Sequence, residues 1–356
     1  MKTIKAEDHF LYFPESDLGF FDALIKAKEY SSYFVLVDEN TENHCLSSFL
    51  SRYSLPQNLE VICIEAGEEN KHLSTCEGVW EALSELGADR HSLLINLGGG
   101  VVTDLGGFVA STFKRGIDFI NIPTTLLAMV DASVGGKTGV DLGVLKNQIG
   151  VINNPQAVII DPTFLSTLPA NEYRSGYAEM LKHGLIQDPA YWEKLADFQQ
   201  IHTHELGAYI SHSVSIKQKV VDQDPLEHSL RKILNYGHTL GHAIESYFLA
   251  NENKTTLLHG EAIAIGMIME AYLSQQLLGL SEEDCLHIKK VFNAIYPLVN
   301  ISKEDEQAIL DLLIFDKKNK QGKVRFVLLK QIGEPVWDIE VPQEALHQSF
   351  AFYNNH

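Results

Sequence analysis

The chain has 356 residues, 45% of them hydrophobic and 21% charged, with 25 glycines and 11 prolines; that length serves two ordinary domains, and the composition excludes a disordered, collagenous or disulfide-stapled chain. Acidic residues outnumber basic ones 47 to 28, and the formal charge of −19 repels a phosphate backbone, which sets nucleic acid aside as a partner but leaves room for an anionic small molecule in a locally cationic cleft. Cys45, Cys63, Cys76 and Cys285 form no C-x-x-C pair, the N-terminal stretch has no apolar core, and no run of 18 apolar residues occurs, so free thiols in a soluble, cytoplasmic protein with no membrane partner are expected.

In chain order, the apolar runs YFVLVD (33–38), EVICIE (60–65), LLINLGGG (93–100), DFINIP (118–123) and AVIID (157–161) alternate with amphipathic segments such as 72–86. That alternation predicts βαβ units around a parallel sheet covered on both faces. After Pro169 the period changes. Segments 172–186, 204–222, 231–249, 259–277 and 281–296 carry apolar residues at helical spacing, which predicts a bundle of long helices. Residues 324–339 read as a late hairpin turning at Gly333. The expected fold class is α/β, with an α/β domain over 1–168 and a mainly α-helical domain over 169–356.

Gly98, Gly99 and Gly100 follow a strand and precede a helical stretch, a turn whose backbone N–H groups could meet a pyrophosphate at a helix N-terminus. The spacing is not G-x-G-x-x-G, so an ordinary tight turn stands beside that reading. Asp38 ends an earlier strand, where an acid either meets a ribose hydroxyl or caps the strand end. Between Ile122 and Gly150, Asp131, Lys137, Lys146 and Asn147 lie among glycines at 135, 136, 139 and 143. Surface solubility would explain lysines alone; the glycines favour close backbone approach to a ligand, with lysine donors for phosphate or carboxylate.

His238 and His242 are four apart and share a helix face, with Glu245 a further turn along. His259 opens the following helical segment, and Glu179 and Lys182 lie three apart on another. Three nitrogen or oxygen ligands and an open position suit a catalytic zinc or similar divalent ion, although H-x-x-x-H alone has many structural counterparts. His202, His204 and His212 read as surface residues.

Together, GEENKHL (67–73), GGGVVTDLGGFVAS (98–111), KRGIDFINIPTTLLAMVDASVGGKTGV (114–140), KNQIG (146–150), LSTLPANE (165–172), GYAEMLKHG (176–184), LRKILNYGHTLGHA (230–243), LHGEAIAIGM (258–267) and FDKKNKQGKVRFVLL (315–329) resemble the 3-dehydroquinate synthase family over most of the chain. Inosose and valiolone cyclases share much of this pattern. The resemblance implies an N-terminal Rossmann-like NAD domain, a C-terminal helical metal-binding domain and an active site in the cleft between them. By motif it implies a divalent ion, zinc or cobalt, on Glu179, His238 and His259, with His242 left to hydrogen-bond substrate or phosphate. NAD contacts map to Asp38, Asn40, Glu68, Lys71, Gly99, Gly100, Val101, Asp104, Thr124, Thr125, Thr167, Leu168 and Glu172, with Lys146 on the cofactor side and Asp131 and Lys137 serving both ligands. Substrate contacts map to Asp131, Lys137, Asn147, Lys182, Lys217, Arg231, Asn235 and a lysine of the pair Lys317 and Lys318. Arg115 is expected at the neighbouring subunit's phosphate, which implies a homodimer.

The implied reaction turns a sugar-acid phosphate, 3-deoxy-arabino-heptulosonate 7-phosphate, into 3-dehydroquinate and phosphate in a cycle that regenerates NAD. Arg115, Lys137, Lys182, Lys217 and Arg231 then supply the cations that a chain at −19 needs around a doubly anionic substrate. Two positions depart from the family's pattern. Thr103 replaces a glycine of GGGVVGDLGG and is expected to crowd that loop slightly; DLGVLKN (141–147) replaces NHPLGKN. Asn235 and the lysine pair are retained, which favours the dehydroquinate reaction over its sister cyclases. A metal-dependent glycerol or alcohol dehydrogenase shares the domain plan but needs no phosphate clamp. A regulatory nucleotide- or metal-binding module leaves the lysine-rich stretch unexplained.

Overall fold

A computed structural model describes residues 1–15, 18–143, 145–198, 205–315 and 324–355. The chain forms two compact units: Met1–Pro169 with Gly207–Gln218, and Ala170–Leu206 with Lys219–His356. No helix among the described residues is long and apolar enough to cross a membrane.

The first unit holds β1 (Lys2–Lys5), β2 (Phe10–Phe13), β3 (Tyr33–Asp38), β4 (Leu59–Ile64), β5 (Leu93–Gly98), β6 (Asp118–Pro123), β7 (Lys137–Leu142), β8 (Leu145–Ile152) and β9 (Ala157–Ile159). Seven strands make one sheet in the order β1-β2-β9-β6-β5-β3-β4, parallel throughout except for the antiparallel β1–β2 pair. Every residue of β5 and β9 is buried, as expected for central strands covered on both faces. The five parallel strands expected from the apolar runs are all present, with β4 shifted one residue toward the N-terminus. β1 and β2 were not legible, because four residues are too few to display a period.

The glycine-rich stretch read as a ligand loop contains a second, two-stranded sheet, the antiparallel hairpin β7–β8. A Cβ at Gly139 would stand 2.4 Å from the Ile149 carbonyl oxygen. That glycine therefore serves the hairpin's own close backbone approach, which corrects its reading as a ligand contact.

The second unit is built mainly of helices: Ala170–Gln187, Pro189–Ala196, His238–Ala250, His259–Leu278, Glu282–Ile295, Lys303–Phe315 and Gln343–Asn354. The expected late hairpin is present as β10 (Arg325–Gln331) and β11 (Glu334–Glu340). The segment 231–249 is not one helix. A 3-10 turn over Leu230–Asn235 ends before Gly237, which is left-handed at φ 79°, and the α-helix starts at His238. Helices Ala170–Gln187 and His259–Leu278 touch backbone to backbone: Gly260 N–H donates to Ser175 Oγ at 2.9 Å, and a Cβ at Gly260 would meet the Ser175 carbonyl oxygen at 2.1 Å. Only glycine permits that approach, which sets the spacing of Glu179 and His259.

Asp305, 3% exposed, ties the loop leading to His259 to helix Lys303–Phe315. Its carboxylate accepts from Tyr247 Oη at 2.5 Å, Lys254 Nζ at 2.7 Å and Ser302 N–H at 2.8 Å. Burial opposes its charge, but these bonds win and hold the carboxyl at about 2, below the ordinary 3.8. The folded value lies below the unfolded one, so the stabilisation is complete above about pH 4 and is lost as pH falls through 2. Asp305→Asn is expected to lower stability at pH 7 by about 2 kcal/mol, with the deficit shrinking below pH 4 in urea melts. A deficit constant from pH 7 to pH 2 would contradict this.

Candidate functional site

Three helices of the second unit bring Glu179, His238 and His259 together, with one ligand atom from each lying within 4.8 Å of the others. Glu179 and Lys182 are one turn apart on Ala170–Gln187, both fully buried, and the ammonium donates to Glu179 Oε2. Oε1 has no hydrogen-bond partner among the described residues. It faces His238 Nε2 at 3.5 Å and His259 Nε2 at 3.7 Å. A buried carboxylate oxygen with no donor but two imidazole nitrogens beside it calls for a cation.

Backbone and side-chain acceptors fix the ring orientations. His238 Nδ1 donates to the Tyr236 carbonyl at 3.1 Å and His259 Nδ1 to Glu245 Oε2 at 3.3 Å, the arrangement that leaves each Nε2 lone pair for a metal. His242, Glu245 and His259 also offer atoms within 4.8 Å of one another. Glu245 already accepts from His259 Nδ1, whereas Glu179 Oε1 has no donor among the described residues and two Nε2 atoms beside it, so Glu179, His238 and His259 fit an ion better. His242 stands beside them, its ring 5.0 Å from that of His238 and 5.8 Å from that of His259.

The site's electrostatics are strongly coupled. Burial raises the Glu179 carboxyl, but Lys182 and the two histidines outweigh it and hold it well below its usual range. Burial and Lys182 push His238 well below 6.5. Burial opposes charge on His259 too, yet Glu245 and Glu179 raise it to about 10. One histidine thus stands neutral with a lone pair to offer, and the other carries a proton that a metal ion would have to displace.

The same unit holds the proposed anion contacts near its 3-10 turn. Asp224 accepts N–H groups of His228, Ser229 and Arg231 at 2.7–3.0 Å. Buried Arg231 donates to the Pro225 carbonyl at 2.6 Å, and Asn235 Nδ2 to Glu227 Oε1 at 2.6 Å. Glu172 is half-buried at the start of Ala170–Gln187, and its carboxyl is raised by burial and by Glu261. Lys317, Lys318, His202 and His204 lie outside the described residues; His212 is exposed.

In the first unit the candidate cofactor residues gather at the C-terminal ends of β3, β5 and β6. Asp38 Oδ1 accepts Thr41 N–H at 2.7 Å, so the capping role is present, and exposed Asn40 follows in the same turn. Helix Gly100–Thr112 begins at the triple glycine, and no side chain caps it. Its half-buried Gly100 and Val101, with Gly99 before them, are the strand-to-helix turn expected of a pyrophosphate site. The Thr103 hydroxyl folds back onto the Gly99 and Gly100 carbonyls at 3.1 and 3.2 Å. Thr124 N–H binds the Gly98 carbonyl at 2.9 Å, and Thr125 Oγ1 caps Ala128 N–H at 3.1 Å. Thr124 and Thr167 both lie against the Cys45 thiol, with Leu168 next in the chain.

A polar cluster completes this unit. Lys71 Nζ donates to Asp104 Oδ2 and Asn147 Oδ1, each at 2.7 Å, and Lys146 Nζ to Glu68 Oε1 at 2.9 Å. Lys71 is buried, yet the carboxylates around it raise its affinity for the proton. Asp131 lies in a π-helical turn, Ala128–Ala132, a distortion frequent at functional sites; its carboxylate accepts from Lys217 Nζ at 2.7 Å. Lys137 is exposed at the start of β7, and Arg115 is exposed in the turn Phe113–Arg115. Sequence reasoning passed over the roles of Tyr236, Asp224 and Asp141, and noted Glu245 without its partner His259. A backbone carbonyl has no sequence signal, and single acids carry too little.

Models of the 3-dehydroquinate synthase N-terminal and C-terminal parts match residues 61–175 and 176–319. The chain is 40% identical over 331 residues to the 3-dehydroquinate synthase of Parabacteroides distasonis, covering 92% of this chain and 93% of that protein. Among solved structures, a 2-deoxy-scyllo-inosose synthase complexed with carbaglucose-6-phosphate, NAD+ and Co2+ matches with a TM-score of 0.83 at 28% identity over 98% of both chains. A 2-epi-5-epi-valiolone synthase from Streptomyces hygroscopicus with NAD+ and Zn2+ bound matches with a TM-score of 0.84 at 26% identity, covering 99% of this chain and 98% of that one. At this identity and coverage, the chain belongs to the 3-dehydroquinate synthase family.

Proposed function

We propose that the protein converts 3-deoxy-D-arabino-heptulosonate 7-phosphate to 3-dehydroquinate and phosphate, a step of the shikimate pathway to aromatic amino acids, as a cytoplasmic homodimer. It uses NAD and one zinc or cobalt ion on Glu179, His238 and His259. The observation that carries the metal centre is the donorless Glu179 Oε1 beside two imidazole Nε2 atoms. The curated relative at 40% identity supports this substrate, whereas the inosose and valiolone synthases stand at 28% and 26%.

When bound, NAD supplies a reversible hydride acceptor and the metal ion Lewis acidity at a substrate hydroxyl. The chain's own residues do the holding. Asp38 offers a carboxylate to ribose hydroxyls, and the uncapped start of helix Gly100–Thr112 offers N–H groups to pyrophosphate. Lys182, Arg231 and Asn235 in the second unit, and Lys137, Asn147 and Lys217 in the first, bind the substrate's carboxylate, phosphate and hydroxyls. Glu245 keeps His259 in the tautomer that leaves its Nε2 free. His242 hydrogen-bonds substrate or phosphate. Substrate and products stand at the same overall oxidation level, so these contacts serve mainly to keep one conformer in place until phosphate has left.

The test is stoichiometric. With the heptulosonate phosphate and a small amount of NAD, phosphate release is expected to exceed the NAD present many times over, with 3-dehydroquinate formed and no lasting NADH absorbance. One NADH per turnover without phosphate would replace this reading by a dehydrogenase. Phosphate release without 3-dehydroquinate would keep a cyclase and overturn the substrate.

A further inference from the structure

The facing strands of the β7–β8 hairpin carry an arrangement that the reading above leaves unused. Asn147 has a left-handed backbone, φ 51°. Asparagine tolerates that region better than most side chains, but it still needs a partner to be held there. The partner is Asp141, whose Oδ1 accepts the Asn147 backbone N–H at 2.5 Å across the turn. Asp141 is itself fastened, because its N–H donates to the Lys71 carbonyl at 2.9 Å. The Lys71 ammonium closes the ring by donating to Asn147 Oδ1 at 2.7 Å while also holding Asp104.

The main chain and side chain of Asn147 are therefore gripped at opposite ends by two residues that are bonded to each other. The acceptor is charged here: in DLGVLKN, aspartate stands where the family's NHPLGKN has asparagine. Burial raises its carboxyl above the ordinary range and Glu68 adds to that, while the Asn147 N–H, Lys71 and Lys146 work the other way. An anionic acceptor makes the stronger bond to a backbone N–H.

We propose that Asp141 is a positioning residue for substrate capture: its carboxylate holds the left-handed backbone of Asn147, with Lys71 fixing the direction of the carboxamide. The inference rests on the reading of Asn147 as a substrate contact. It does not make Asp141 a contact of substrate or cofactor.

The test compares Asp141→Ala with Asp141→Asn in the full chain, loaded with metal and NAD. Asp141→Ala is expected to raise KM for the heptulosonate phosphate about tenfold, the equivalent of one hydrogen bond, while kcat and the NAD dissociation constant change by less than about threefold. Asp141→Asn keeps an acceptor and is expected to restore KM. An unchanged KM in Asp141→Ala, or an Asn variant as poor as the Ala variant, would overturn the proposal. A second readout needs no turnover: with ¹⁵N-asparagine labelling, and Asn147→Gln to assign the signal, the Asn147 backbone amide is expected far downfield in the wild type and in Asp141→Asn, and upfield in Asp141→Ala. If the wild type releases no phosphate, the proposed function fails, and the amide shift still decides whether Asp141 holds Asn147; an amide that does not move in Asp141→Ala refutes it.

Discussion

His259→Ala is expected to bind no divalent metal after exhaustive dialysis and to lose about a thousandfold in turnover, the scale of a Lewis acid's several kcal/mol, while NAD affinity stays unchanged. The metal effect follows from the ligand count. Glu179 Oε1 and His238 Nε2 remain, but two ligands hold a divalent ion far less tightly than three. The unchanged NAD affinity follows from placement, because the proposed cofactor cluster around Lys71, Asp104 and Gly99–Val101 lies in the other compact unit. His259 suits the test better than Glu179. Removing Glu179 would strand the fully buried Lys182 ammonium and destabilise the fold, whereas the alanine at 259 leaves Glu179 paired with Lys182. Elemental analysis and NAD titration by fluorescence are the measurements. Full metal stoichiometry in the variant would remove His259 from the ligand set.

Arg115→Ala is expected to be nearly inactive, and activity is expected to return when it is mixed with His259→Ala. Arg115 is exposed and takes part in no hydrogen bond or ion pair among the described residues. It and Lys114 are consecutive non-glycine residues with left-handed backbones, φ 73° and 49°, strain of the kind retained where a side chain must be presented in one direction. If Arg115 reaches the neighbour's substrate phosphate, a mixed dimer holds one complete site, made of a wild-type His259 in one subunit and a wild-type Arg115 from the other. Random exchange makes half the dimers mixed, so about a quarter of wild-type activity is expected from the symmetry alone. No recovery, with subunit exchange verified by native mass spectrometry, would place Arg115 in its own subunit's site or outside catalysis.

The parallel sheet could be read from the sequence because its strands are buried on both faces and so appear as unbroken apolar runs. The β7–β8 hairpin was hidden for the opposite reason: its strands mix glycine, lysine and asparagine, and Gly139 signals close approach without saying whether ligand or chain approaches. The segment 231–249 kept helical spacing through a 3-10 turn whose period differs too little to show, and only Gly237 marked the break. At the candidate metal centre, spacing placed His238 and His242 on one face but could not choose among three histidines. In the structure that choice rests on two ring nitrogens already engaged, one by the Tyr236 carbonyl and one by Glu245. Tyr236 is two residues from His238 but acts through its backbone, and Glu245, noted beside His238 and His242, partners His259 on the next helix, a pairing that spacing does not show.

The assignment of Gly207–Gln218 to the first unit bears on how the polypeptide emerges from the ribosome. Lys217 anchors this stretch on Asp131, and Lys2 in β1 bonds Ser211. The N-terminal unit therefore cannot finish folding when residue 169 has been synthesised. It must wait until 218 is free of the exit tunnel, by which time helix Ala170–Gln187 has already been made. The first unit therefore closes around a segment, 170–206, that belongs to the second, while the rest of that second unit, from Lys219 on, is still to be made.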